Sequence, residues 1–193
     1  MVMQTLSTYR KHIVASVCGV LMAIFAMNGG AALAQTAAMD GLFQELADPD
    51  NQNWEKVQNQ IVREWSKSGS PAFDLLLSRG QAAMEAGDFE AAIDHLTALT
   101  DQAPDFAEGW NARATAYYLS GRFGPSLADI EHVLTLEPRH FGALAGLGLI
   151  LQEIGRKDEA LKAFRASLAI HPHQEGINQA ADALEQELSG IEL

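Results

Sequence analysis

Few residues of this 193-residue chain could do chemistry. Beyond the first 34 positions, histidines stand at His95, His132, His140, His171 and His173. Imidazole is a common metal ligand and general base. His171-Pro172-His173 sets two rings at one turn, and His140 occupies a matching turn earlier in the chain. A metal carrier or an enzyme built on these turn histidines is therefore one function to weigh. A closed metal site would need a cysteine or a third ligand at tight spacing, and neither accompanies them. They read as solvated turn residues. Asp48-Pro49-Asp50-Asn51-Gln52-Asn53 opens like a calcium loop. Yet Asn53 stands where glycine is needed, and Asn59 where a bidentate glutamate belongs. A plain interhelical turn accounts for the segment. There is no G-x-S-x-G, no H-E-x-x-H and no phosphate-binding glycine loop. The reading is an unreactive chain: no catalytic residue, no cofactor, no metal.

Charge narrows the partners. Acidic residues outnumber basic ones 25 to 13, for a net charge of −12. Nucleic-acid binding needs a basic footprint, and anionic lipid surfaces attract basic segments, so both are set aside. Hydrophobic content of 48% suffices for one packed domain.

Residues 1–34 read as a signal peptide. Arg10, Lys11 and His12 form its positive end, and an apolar run follows from Ile13 to Met27. Ala32-Leu33-Ala34 has the A-x-A form of a cleavage site, which predicts a mature chain beginning at Gln35. The run is short for a membrane span, although a retained anchor is the alternative. The single cysteine, Cys18, lies inside it, so the mature chain would have neither thiol nor disulfide. Cleavage would remove Arg10 and Lys11 and no acid, leaving a still more acidic protein that does not insert in a membrane.

The elements that must position everything else are repeats. Pro104, Pro138 and Pro172 recur every 34 residues, as do Gly87, Gly121 and Gly155. Counting from Phe73, Ala107 and Phe141, large residues recur at the fourth position (Leu76, Trp110, Leu144). Small ones recur at the eighth (Gly80, Ala114, Gly148) and twentieth (Ala92, Ser126, Ala160). Apolar residues three and four apart give each segment a buried helical face. Small residues at the eighth and twentieth positions let two antiparallel helices approach closely. The glycines suit the left-handed position that ends a first helix, and the prolines mark the end of the second. Ser70-Pro71 predicts a helix start with a capping hydroxyl.

These residues resemble the tetratricopeptide-repeat family. Trp110, Tyr117, Gly121, Phe123 and Pro138 carry the likeness in the second repeat, and Gly148, Gly155, Ala160, Phe164 and Pro172 in the third. Gly80, Gly87-Asp88-Phe89, Ala92 and Pro104 carry it in the first. Arg79 and Arg113 depart from it, standing where the family usually has leucine, and Lys157 replaces an aromatic. The resemblance implies an all-α fold, a right-handed solenoid of helix-turn-helix units whose first helices line a concave face. It comprises three repeats (73–106, 107–140, 141–173), preceded by an N-terminal helical hairpin acting as a cap (35–70). A C-terminal capping helix and tail complete it (174–193).

It also implies where a ligand would lie. Carried over by position on the first helices, the first repeat offers Asp74, Leu77, Ser78, Gln81, Met84 and Glu85. The second offers Glu108, Asn111, Ala112, Thr115, Tyr118 and Leu119. The third offers Gly142, Ala145, Gly146, Leu149, Gln152 and Glu153. None is lysine or arginine. The expected function is a non-catalytic protein-interaction adaptor in the bacterial periplasm, holding a neutral or basic peptide segment in that groove. Tyr118, Leu119, Met84 and Leu149 would supply apolar contacts, and Asn111 and Gln81 would bond an extended backbone. The alternative is a structural subunit of an envelope complex, held through its convex face or caps. Partner identity and oligomeric state are not set by these residues, nor is whether the C-terminal helix fills the groove.

Overall fold

The computed structural model describes residues 37–190; the signal-peptide reading and its cleavage point lie outside them. Contacts divide the chain between Leu42 and Phe43. The earlier part contributes the first residues of helix α1 (37–47), and the repeats belong to the unit that begins at Phe43. Helix α2 spans Trp54–Trp65, α3 Pro71–Glu85, α4 Phe89–Gln102, α5 Ala107–Leu119 and α6 Phe123–Leu136. Helices α7 Phe141–Glu153, α8 Lys157–Ile170 and α9 Glu175–Leu188 complete the series. No strand occurs among the described residues.

Helices α3 to α8 form three antiparallel pairs stacked in order. Each pair turns on a glycine in the left-handed region: Gly87 at φ 75°, Gly121 at φ 73° and Gly155 at φ 79°. The turns are closed alike. The Gly121 N–H donates to Tyr118 O (2.9 Å) and the Arg122 N–H to Tyr117 O (2.8 Å). Corresponding bonds run from Asp88 to Ala83 and from Arg156 to Leu151. Two orphan carbonyls at each helix end are thereby satisfied.

Close approach within a pair depends on the small residues. A Cβ on Gly80 would lie 2.5 Å from Leu96 Cγ, and one on Gly148 would lie 2.3 Å from the Phe164 ring. In the middle pair the Ser126 hydroxyl donates to Ala114 O at 2.7 Å. Leu96, Val133 and Phe164 are fully buried along the crossings. Helix α9 closes the stack by packing Ala181 and Leu184 with Ala160, Leu161 and Phe164 of α8. Arg165 of α8 pairs with Glu185 of α9 across the exposed side.

Three details differ from the sequence reading. Ser70 makes no side-chain cap bond. Instead Ser68 donates its hydroxyl (2.5 Å) and its N–H (2.9 Å) to Asp74 Oδ1, which fastens the linker to α3. The hydroxyl first and the N–H second hold the Asp74 carboxyl below its ordinary pKa. Arg113, at a position expected to be leucine, is built into the core. It makes a bidentate pair with Asp129 (2.8 Å each) and donates to Thr100 Oγ1 (2.8 Å), tying α4, α5 and α6 together.

The third concerns the N-terminal hairpin. The sequence suggests a cap on the end of the stack, but α2 does not pack along α3. Its aromatic side chains reach the turns that end the second and third repeats. Trp65 stacks on His140 and packs against Phe141. Trp54 packs against both His171 and His173. His140 and His171 are consequently 3% and 2% exposed. The expectation of solvated turn histidines is wrong for these two, because apolar rings brought from a distant segment cover the turns.

Candidate protein-binding groove

The first helices of the pairs, α3, α5 and α7, line one face of the stack, and an open cavity of about 280 Å³ lies between α5 and α7. Asn111, Thr115, Tyr118 and Leu119 form the α5 wall. Gly142, Ala145, Gly146 and Leu149 form the α7 wall, and Ala114, Ser126, Ile130 and Ile150 lie beneath. The space exists because α7 presents small residues there. A Cβ on Gly146 would meet only Ile130 Cδ1, at an ordinary 3.7 Å. Tyr118 is held by Phe123, ring centroids 5.9 Å apart. Leu119 is 49% exposed, an apolar surface with no cover. Helix α9 packs on α8 and leaves the cavity open.

The positions carried over from the sequence fall into three groups. Asn111, Thr115, Tyr118, Leu119 and Leu149 meet at the cavity. Gln81, Met84 and Glu85 lie on α3 outside it, with Met84 packed on the first-repeat core. Glu108, Gln152 and Glu153 lie on α5 and α7 but do not line the cavity. Leu77 and Ala112 are buried in the first-repeat core, and Ala145 is largely buried. Glu85 and Glu153 are exposed, so the face keeps its acidic character.

Sequence reasoning missed what stands at one end of this groove. The His140 Nδ1 accepts the Ala143 N–H at 3.1 Å and caps α7. Its other nitrogen, Nε2, then carries the proton and faces Glu108 Oε2 at 3.2 Å. Glu108 in turn lies 3.4 Å from Asn111 Nδ2. A histidine–carboxylate pair can serve catalysis. Here, however, both ring nitrogens are engaged and Trp65 covers one ring face at 4.2 Å between centroids. At the next turn His171 Nε2 lies 2.7 Å from Gln58 Oε1, and His173 Nε2 lies 2.9 Å from Asp48 O. Burial, and secondarily the charge of His173, pushes the His171 pKa down to about 4. The only hint in the sequence was two tryptophans at the two ends of one short polar helix, an expensive residue type for an exposed hairpin. No cluster of three metal-ligating side chains occurs among the described residues. The Asp48–Asn53 segment folds its side chains onto its own backbone, Asp48 Oδ1 accepting the Asp50 N–H and Asn51 Oδ1 the Asn53 N–H.

Comparison with known proteins agrees with the fold. A tetratricopeptide-repeat family model matches residues 77–131 and 120–175. A TPR repeat-containing protein of Rhizobium etli is 39% identical over 155 residues, covering 79% of this chain and 75% of its own. A small glutamine-rich tetratricopeptide repeat-containing protein of Mycosarcoma maydis is 26% identical over 116 residues, but these span only 33% of its length. Among solved structures, the first TPR of Spaghetti bound to the HSP90 peptide SRMEEVD superposes with a TM-score of 0.60 at 22% identity. That match covers 62% of this chain and 95% of the other. MamA superposes with a TM-score of 0.58 at 20% identity, over 75% of this chain and 86% of its own.

Proposed function

Because the chain belongs to the tetratricopeptide-repeat family, we propose that it is a non-catalytic adaptor. Its groove between α5 and α7 would hold an extended segment of another protein. The observation that carries this reading is the open apolar cavity of about 280 Å³, walled by Tyr118, Leu119 and Leu149 and provided with polar groups by Asn111 and Thr115. A pocket that is mostly apolar with a few convergent polar groups suits a side-chain anchor on a bonded backbone.

Charge selects the segment. SRMEEVD, the peptide bound in the Spaghetti structure, is acidic. This face offers no lysine or arginine among its eighteen carried-over positions, and it carries Glu85, Glu108 and Glu153 on α3, α5 and α7. A neutral or basic segment with a large aliphatic or aromatic anchor fits that field. The positive end and A-x-A site of residues 1–34 support a periplasmic location for the adaptor. Mass measurement of the chain recovered from a periplasmic fraction should give an N-terminus at Gln35.

The deciding experiment is capture of envelope proteins beside a Tyr118→Ala, Asn111→Ala double variant shown to be folded. A partner held by the native chain and lost by the variant supports the groove. A second reading draws on a depression on the opposite side. Leu127, Leu134, Leu147 and Leu151 border about 500 Å³ there, with Arg156 and Glu159 at its rim. A partner retained equally by both chains favours that convex face and the structural-subunit role.

A further inference from the structure

Helix α2 is joined to the repeats in an unusual way. Residues 66–70 connect it to α3 through Gly69 at φ 80°, and α2 does not pack along the helix that comes after it. What joins it to the turns are ring contacts to His140, Phe141, His171 and His173 and one hydrogen bond, His171 Nε2 to Gln58 Oε1 at 2.7 Å, while Val57 and Ile61 are its buried apolar residues. Among the described residues two buried side-chain polar atoms lack hydrogen-bond partners, Trp65 Nε1 and His171 Nδ1, and both lie at this seam. Unpaired buried polar groups cost stability, so this seam carries a penalty that the paired Ser126 and Arg113 contacts inside the repeats do not.

From this seam a line of contacts enters the groove. Trp65 covers His140 at 4.2 Å, nearly parallel. The His140 Nδ1 is committed to the Ala143 N–H, so its Nε2–H points at Glu108 Oε2, 3.2 Å away. Glu108 accepts from Asn111 Nδ2 with both oxygens at 3.4 Å, and Asn111 lines the cavity. Lose the Trp65 face and His140 gains room to turn; Glu108 then loses its fixed donor, and the Asn111 amide its fixed acceptor.

We propose that helix α2 is a latch on the groove: docked Trp65 fixes His140, which through Glu108 orients Asn111 for a ligand backbone, so docking and ligand capture favour one another. This rests on the groove reading above and assigns its regulation. Trp65 and His140 are positioning residues. Coupling of this kind is reciprocal, and a tenfold effect, roughly, is ordinary for it.

The test uses the purified chain and its Trp65→Ala, Trp65→Phe and His140→Ala variants. Without any ligand, Trp65→Ala should speed amide exchange in α2 while α3 to α8 keep their protection. It should also shift the side-chain amide resonances of Asn111; Trp65→Phe should restore both. His140→Ala should shift Asn111 in the same way, which keeps the test open if Trp65→Ala folds poorly. With a synthetic Lys-Leu-Lys-Leu-Lys peptide as probe, affinity should fall about tenfold in Trp65→Ala and recover in Trp65→Phe. An Asn111 resonance that stays put while α2 loosens overturns the relay. Loss of protection throughout the repeats overturns the latch, and unchanged peptide affinity overturns the coupling. A native chain that ignores the peptide counts against the groove reading, while the Asn111 resonances still judge the relay.

Discussion

Trp65 and His140 lie face to face, 4.2 Å between ring centroids and 9° from parallel. Trp54, at the other end of the same helix, stacks on His173 at 5.2 Å and 5°. Helix α2 therefore runs as a strap between the turn after α6 and the turn after α8. Such ring pairs contribute about 0.5–1.5 kcal/mol each beyond the area they bury. They convert two turns that the repeat pattern leaves polar into a covered edge beside the groove.

That edge makes stability sensitive to acid. His171 is buried against Trp54 and Phe141, and its pKa is lowered from 6.5 to about 4. A histidine held neutral in the fold gives its full contribution above the unfolded pKa. The contribution falls as pH drops from about 6.5 toward 4, where the folded state also protonates. Over that window the loss is up to about 3 kcal/mol. Urea midpoints measured across it should decline more steeply for the native chain than for His171→Phe. Parallel slopes would show that the carboxylates alone set the acid sensitivity.

Arg113 offers a second measurement. Replacing it by leucine, the usual family residue, leaves Asp129 buried without its partner. Removing one member of a buried pair costs about 3–5 kcal/mol. Arg113→Leu should therefore lower the melting temperature sharply, while the double change Arg113→Leu, Asp129→Leu recovers most or all of the loss. A single variant as stable as the native chain would mean that the pair is held loosely enough for water to replace it.

The contrast between these sites shows what was legible in the sequence. The pairs, their turns and their crossings were readable because each depends on residues within one 34-residue period. Gly121 ends α5 locally, and Ala160 meets its partner helix one turn away in the same pair. Arg113 looked like a departure because its partners Asp129 and Thr100 belong to different helices, and no spacing announces a guanidinium between them. His140 and His171 were misread for a similar reason. Their covers, Trp65 and Trp54, come from a segment outside the repeat, and burial supplied by a distant segment leaves no periodic trace. Of the positions carried over to the first helices, only some line the cavity, because its confinement to α5 and α7 depends on the particular small side chains of α7.

Glycine substitutions should separate crossing from surface. A methyl at Gly148 would lie 2.3 Å from the Phe164 ring, a fully buried side chain with little room to yield. Gly148→Ala should destabilise by about 1–3 kcal/mol. Gly176, in the first turn of α9, has nothing within 4 Å of a new Cβ. There Gly176→Ala should stabilise by about 0.4–1 kcal/mol, chiefly by restricting the unfolded chain. Thermal unfolding of the two variants side by side reads the difference, and a neutral Gly148→Ala would mean that α7 and α8 slide apart more easily than their packing implies.

Filling the cavity tests the groove without touching its polar groups. At Gly146 a Cβ meets only Ile130 at 3.7 Å, and the side chain would continue into open space between α5 and α7. Gly146→Leu should keep or raise stability, since a helical glycine is replaced by a better helix former. The same change should abolish capture of any segment anchored there. Glu85 and Glu153 are exposed and lie outside the cavity, so their attraction for a basic segment is screened by salt. Binding of the lysine–leucine peptide should then weaken as ionic strength rises, in the native chain and in a Glu85→Gln, Glu153→Gln variant to different degrees. The variant should start weaker and respond less. Equal salt responses would remove charge from the recognition and leave only the apolar anchor, whereas a Gly146→Leu chain that still captured its partner would move the interface off this face altogether.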